Sequence, residues 1–448
     1  MAVAPIDTKL FRDMFGTEAM REVFDEVTTL QRYLDVEAAL ARVQANLGII
    51  PLEAADEIST KCQVELMDQE AIAKETVIVG YPILALVRGI VRACDRGLGE
   101  YAHWGATTQD IMDTGLVLQI RDAIDLLDAD LEELCKTLAR LTDQYREATM
   151  AGRTHLQHAL PVTFGLKTAV WLAPLLRMKD RLREIRSRVL VGQFSGASGT
   201  LASLGDKGME VSDGLMDELG LGRALAPWHV ARDSVAETVC FLALLTGALS
   251  KIAADVMLLM TTELQEVFEP FVTGRGASST MPQKRNPISC EIIRGSARLV
   301  RSHAAACLDA MEADFERATG PWHIEWTAVP EAFVLTSGAL SQANFMLAGL
   351  EVDTDRMRRN LDASNGLIMA EAVMMGLAPV MGRTSAHDAV YAACRRAIAE
   401  GTHLRDALLA DTIIVNQLGP TEIDYLLEPA NYLGATQRMI DRVLCSLK

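Results

Sequence analysis

The sequence of 448 residues is poor in aromatic side chains, at 5%, and has no excess of positive charge. Its 43 Lys and Arg stand against 60 Asp and Glu, a formal net charge of −17. A surface so acidic keeps a chain in solution and repels nucleic acid and anionic membranes, so neither is an expected partner. The eight cysteines, from Cys62 to Cys445, include no C-x-x-C pair. Scattered in this way they read as free thiols of a reducing compartment, neither a disulfide framework nor a zinc site. The first residues carry Pro5, Asp7 and Lys9 and no apolar run, which is not the pattern of a signal peptide. The most apolar stretch, Val239 to Leu249, is shorter than a bilayer requires and is followed by Lys251 and Asp255. A cytoplasmic protein is therefore expected, with no metal and no cofactor.

Half of the residues are apolar, enough for a large core, and Ala, Leu, Met, Glu and Arg favour helix. Apolar positions recur at three- and four-residue intervals over Asp110–Thr149: Ile111, Leu116, Leu118, Ile120, Ile124, Leu127, Leu131, Leu134 and Leu138. The same pattern runs through Thr163–Leu190, Ser234–Glu263, Ile288–Ala313 and Pro330–Leu350. These predict helices of roughly 20 to 40 residues, or about 30 to 60 Å. Strand alternation is nearly absent. The flanks differ, with shorter helices broken at Gly48, Pro51, Gly80, Pro82 and Gly97, and again at Gly382, Gly401, Gly419-Pro420 and Pro429. The predicted fold class is all-α, in three helical domains: residues 1–107, a central long-helix bundle over 108–358, and residues 359–448.

Three polar segments lie between these helices, each read at a helix boundary. The first is His103 to Asp110, the second Gly152 to His158 and the third Gly274 to Pro287. In the third, Gly274 and Gly276 loosen the backbone, two serines follow, and Pro282 and Pro287 stiffen a Lys284/Asn286 pair. That is either a solvated interhelical loop or a lid whose donors stabilise an anion. His155 and His158 lack a third ligand, which argues against a metal. Thr107-Thr108-Gln109-Asp110 is an N-cap sequence, and first-turn amides are a natural seat for a carboxylate.

In order and spacing these segments resemble the three signature regions of the fumarase/aspartase superfamily. Gly276 to Pro287 is similar to the pattern G-S-S-x-M-P-x-K-x-N-P, with Ala277 as a departure. Trp322-His323-x-Glu325-Trp326 and Leu427-Glu428-Pro429-Ala430-x-Tyr432-Leu433-Gly434 resemble the branch of 3-carboxy-cis,cis-muconate cycloisomerase and adenylosuccinate lyase. The resemblance implies a homotetramer with active sites shared between subunits. It implies Ser279 as the general base next to a carboxylate, and Lys284 and Asn286 as holders of the enediolate. It implies His155, paired with Glu291, as the group that serves the leaving atom. Thr107, Thr108, Gln109, Thr154, Gln157, Ser278 and Met281 are then substrate-binding. A serine hydroxyl is a feeble base until nearby donors stabilise its alkoxide, which is consistent with Lys284 in that loop.

Departures narrow the choice of substrate. Val77-Ile78-Val79-Gly80-Tyr81-Pro82 lacks the histidine of purine-pathway lyases, and Ile324 to Pro330 holds no cation for a nucleotide phosphate. Gln283 replaces the usual histidine of the signature loop. A His155–Glu291 pair suits a reaction that protonates a leaving nitrogen or oxygen. The expectation is a lyase that releases fumarate, or a close relative of it, from a substituted succinate or similar polycarboxylate. The alternative is a lactonising 3-carboxymuconate cycloisomerase.

Overall fold

A computed structural model describes residues 4–317 and 319–447. Five long helices dominate it: Thr108–Gln144, Phe164–Val189, Asp233–Leu259, Ile288–Asp309 and Pro321–Ala348. Of the apolar positions read along the first, every one but Leu116 is at most 2% exposed. Each fully buried leucine or isoleucine contributes about 1.5–3 kcal/mol, and this holds so long a helix together better than propensity could. Gly115 is needed where it stands, because a Cβ there would lie 2.6 Å from the ring of Tyr33. The fifth helix starts earlier than the sequence suggests. Pro330 lies inside it and Pro321 opens it, at the first-turn position where a missing N–H costs nothing. The third is long and apolar enough by composition to cross a membrane. Half of its apolar stretch is buried inside the protein, as in a core helix.

The chain divides into two compact units, and the divisions fall within long helices. The first unit comprises Met1–Glu132, Met178–Ser250 and Ile292–Gln342. Its core joins Leu34, Leu40, Ile58, Leu86 and Ile90 of the shorter N-terminal helices to Ile111 and Leu118 of the first long helix.

The second unit comprises Glu133–Arg177, Lys251–Glu291 and Ala343–Lys448. Its C-terminal helices Ala370–Met381, Arg383–Glu400, Leu404–Leu409 and Thr412–Leu427 pack around Leu377, Val390, Leu404 and Ile423. The last of them breaks at Gly419-Pro420, where Gly419 has φ 69°. This unit also holds an antiparallel hairpin, Thr149–Thr154 with Gln157–Thr163. The sequence reading gave this segment only as a helix boundary. The hairpin turns on His155 and Leu156, whose φ values of 51° and 63° are those of a two-residue turn of the primed kind. A shorter ribbon pairs Val267–Phe268 with Glu351–Val352.

Candidate active site

In the first unit the polar segment ahead of the first long helix is fixed from below by Asp110, which is fully buried. Its Oδ2 accepts from the amides of Thr107 at 3.0 Å and Gly196 at 2.9 Å. Its Oδ1 accepts from the Ser195 amide at 2.9 Å and lies 2.8 Å from Nε2 of the buried His229. One carboxylate thus closes the capping box of the helix and holds the Gly/Ser loop that begins at Ser195 beside it. Gln109 is turned inward, donating to the His229 carbonyl at 2.8 Å. The Thr107 and Thr108 side chains and the first-turn amides are left at the rim, where a helix N-terminus favours an anion. Upstream, the buried Glu37 accepts from the His103 amide at 3.1 Å and meets its Nδ1 at 2.6 Å. Burial works against a charge on His103, but the charge and hydrogen bond of Glu37 outweigh it, so the pKa is raised.

At this rim stands Arg317. Its Nη2 donates to Thr107 Oγ1, and its Nε donates to the Ala197 carbonyl at 3.2 Å. Among the described residues it has no carboxylate partner, in a chain with a large excess of carboxylates. One turn further along the helix, Asp113 binds Arg232 at 2.9 and 3.0 Å and accepts from Trp322 Nε1 at 3.1 Å. Glu325 takes the other edge of the same guanidinium at 3.0 and 2.5 Å. All three are at most 2% exposed. Burial pushes Glu325 up, against the pull of Arg232. Around Trp322 the rings of Tyr81, His323 and Trp326 form a cluster with centroids 4.3–6.2 Å apart.

In the second unit the signature segment is a loop clamped at its base by two arginines. Arg285 pairs with Glu351 at 3.0 Å through both nitrogens, donates to the Glu269 carbonyl at 2.7 Å, and lies over the rings of Phe268 and Phe271. Arg275 donates to Ser289 Oγ at 2.6 Å and stacks on Phe345. Asn286 N donates to the Gly276 carbonyl, closing the loop, and Gly276 is required there because a Cβ would meet that backbone at 2.6 Å. Ser278 Oγ accepts from the amides of Thr280 and Met281, so it shapes the turn. Ser279, Met281 and Lys284 project from it, exposed.

Arg153 on the hairpin reaches the buried Glu266 at 2.6 and 3.0 Å, tying the hairpin to the strand that leads into this loop. Thr154, His155 and Gln157 sit at the hairpin tip, all exposed. Glu291 lies in the first turn of the fourth long helix, also exposed. Within the chain no ion pair joins His155 to Glu291. Among the described residues no group of three or more His, Cys, Asp or Glu could hold a metal ion.

Known proteins match this chain over most of its length. A family model described as "Lyase" matches residues 15–302, and one described as "Adenylosuccinate lyase C-terminus" matches 366–443. The chain belongs to the fumarase/aspartase superfamily. The crystal structure of a fumarate lyase from Mesorhizobium sp. BNC1 is 52% identical with a TM-score of 0.91, over 96% of this chain and 98% of that one. Trans-aconitate decarboxylase 1 of Mycosarcoma maydis is 49% identical over 96% of this chain and 88% of its own length. A 3-carboxy-cis,cis-muconate cycloisomerase of Bradyrhizobium diazoefficiens is 46% identical over 98% of both.

This lyase-superfamily enzyme therefore offers donors and cations in three places: the Thr107 rim, the hairpin tip and the signature loop. Two residues of the first place escaped the sequence. Asp110 was visible as a cap but not as the support of a second loop. Arg317 gave no signal, since its contact with Thr107 spans 210 positions.

Proposed function

We propose that this enzyme releases fumarate, or a close relative of it, from a substituted succinate by β-elimination, as a homotetramer whose active sites are shared between subunits. The observation that carries the reading is Arg317, a guanidinium resting on two neutral oxygens beside the N-terminus of a helix. An arginine so placed suits a carboxylate, which it grips through two parallel hydrogen bonds. In this reading Thr107, Thr108 and the backbone N–H of Gln109, whose side chain is spent on His229, complete that subsite, and Thr154, Gln157, Ser278, Met281 and Asn286 hold the rest of the substrate.

The steps follow from the chemistry of the loop. Ser279, as alkoxide, takes the proton from the carbon next to a carboxylate. The electron pair left behind delocalises into that carboxylate, and Lys284 and Asn286 hold the resulting dianion. Collapse of the dianion breaks the bond from the neighbouring carbon to nitrogen or oxygen, and the pair leaves with the heteroatom. His155, paired with Glu291 of another subunit, supplies the proton to it. A nucleotide phosphate is disfavoured as part of the substrate, because the segment after Trp322-His323 contributes rings and the committed Glu325. The test is fumarate formation, followed by ultraviolet absorbance, across a panel of N- and O-substituted succinates. Loss of all turnover in Ser279→Ala supports the reading, and turnover unchanged in that variant overturns it.

One observation favours a second reading. The Tyr81, Trp322, His323 and Trp326 rings pack together, mostly tilted or edge-on to one another, as an aromatic cluster of the kind that contacts a conjugated body, and the similarity to the Bradyrhizobium cycloisomerase points the same way. Rapid loss of absorbance of 3-carboxy-cis,cis-muconate would select cycloisomerisation over fumarate release.

A further inference from the structure

The signature loop leaves the Val267–Phe268 strand after Glu269 and ends at Ile288, where the fourth long helix begins. The residue ahead of that helix is Pro287, which has no side-chain acceptor, so the first-turn amides must be satisfied from elsewhere. Glu269 satisfies two of them from across the loop. Its Oε1 accepts from Cys290 N at 2.9 Å and its Oε2 from Ser289 N at 3.2 Å. The flanking amides are also engaged, Ile288 N on the Asn286 carbonyl and Glu291 N on the Pro287 carbonyl, each at 3.0 Å. Glu269, Ser289 and Cys290 are at most 5% exposed. The carbonyl of Glu269 takes Arg285 Nη2 at 2.7 Å, so one residue grips both the end of the loop and the helix that follows. The positive end of this helix dipole is thereby occupied by a carboxylate of the chain itself.

We propose that Glu269 is a positioning residue for the reaction: it sets Lys284 and Asn286 on one side of the capped turn, and Glu291 on the other, in a fixed relation. The proposal rests on the roles given above to the loop and to Glu291. Asn286 and Glu291 flank the two amides that Glu269 holds, so a first turn that frays displaces both. A shift of about 1 Å in a reacting group costs up to about 10²-fold in rate. Glu269 acts through the backbone and is buried, so it has no part in gripping the substrate. The carboxylate subsite at Arg317 is built by other residues. Loss of Glu269 should therefore fall on kcat and spare KM.

Glu269→Gln in the full-length protein tests this, since it keeps the length but turns one oxygen into a donor facing a backbone N–H. Amide exchange of residues 288–292 should quicken at least about tenfold, with exchange in Arg383–Glu400 unchanged. Kinetics use the substrate that the wild type accepts, from the succinate panel or 3-carboxy-cis,cis-muconate. There kcat should fall at least about tenfold with KM within about twofold. If Glu269→Gln fails to fold, Glu269→Asp, which keeps the charge and shortens the reach, takes the same two readings. Unchanged exchange at 288–292 overturns the proposal, as does unchanged kcat. Equal quickening in both segments also overturns it, because Glu269 would then serve the fold as a whole. Turnover retained in Ser279→Ala overturns the role of Ser279 alone. A slowed Glu269→Gln then still supports the positioning of Lys284, Asn286 and Glu291, and an unslowed one overturns it.

Discussion

The Oδ2 atom of Asp110 accepts from the Thr107 amide at 3.0 Å and the Gly196 amide at 2.9 Å, so one buried oxygen fixes the distance between two loops. With Oδ1 on Ser195 N and His229, no lone pair is idle. Asp110→Asn keeps the shape but turns one oxygen into a donor that faces donors. A buried group left unsatisfied costs about 1–3 kcal/mol, and more than one is affected. A loss of about 3 kcal/mol in denaturant unfolding is expected, with a fall in kcat/KM because the Thr107 rim loses its position.

Arg317→Met should act on turnover and leave stability alone. Its partners are neutral oxygens and it is partly exposed, so unfolding should shift by no more than about 0.5 kcal/mol. If Arg317 grips a substrate carboxylate, kcat/KM should fall by about two orders of magnitude, and Arg317→Lys should recover only part, since an ammonium cannot bridge two oxygens. Steady-state kinetics with the substrate found by the panel reads both.

The signature loop makes the opposite contrast available. Ser279 and Lys284 are exposed and make no contact that holds the fold, so Ser279→Ala and Lys284→Met should cost about 10²-fold or more in kcat at unchanged melting temperature. Arg285→Ala removes the clamp to Glu351 and the Glu269 carbonyl. It should lower both the melting temperature and kcat, while leaving Ser279 in the chain. Thermal unfolding and kinetics on the three variants separate chemistry from support.

How far this could be read from sequence depends on where the information lies. The five long helices were legible because apolar residues at three- and four-residue spacing have no other use over such lengths. The start of the fifth at Pro321 was not, since a proline inside a helix loses only one hydrogen bond, and packing of Val329, Phe333 and Val334 outweighs it. The hairpin was invisible because the tip of its two-stranded ribbon exposes Thr154, His155 and Gln157 and shows no alternation. Ser279, Lys284 and Asn286 could be named as candidates because their loop resembles the superfamily's signature segment. Arg317 could not, because its meaning comes from a long-range contact that no local pattern encodes.

His103 gives the rim a pH dependence. Its pKa is raised above the ordinary 6.5, with Glu37 outweighing burial. A group raised in the folded state contributes stability in full below its unfolded value and loses it as pH rises through its folded value. The His103–Glu37 anchor is therefore whole below pH 6.5 and weakens above it. Amide exchange of residues 101–107, corrected for intrinsic rates, should quicken as pH rises through that range. His103→Gln should abolish the dependence, and a slope that persists in this variant would assign it to another group.

The Arg153–Glu266 pair tests whether the hairpin is held by charge or by shape. Glu266 is fully buried and Arg153 largely so. Glu266→Gln leaves a guanidinium with no counter-charge, which costs about 3–5 kcal/mol. Arg153→Met leaves the carboxylate buried with Asn360 as its remaining side-chain donor and should cost a similar amount. Removing both charges together exposes neither, so the double variant Arg153→Met/Glu266→Gln should unfold at higher denaturant than either single one. Strict additivity of the two losses would mean that each residue is held by its other neighbours, and that the hairpin would keep His155 in place without the pair.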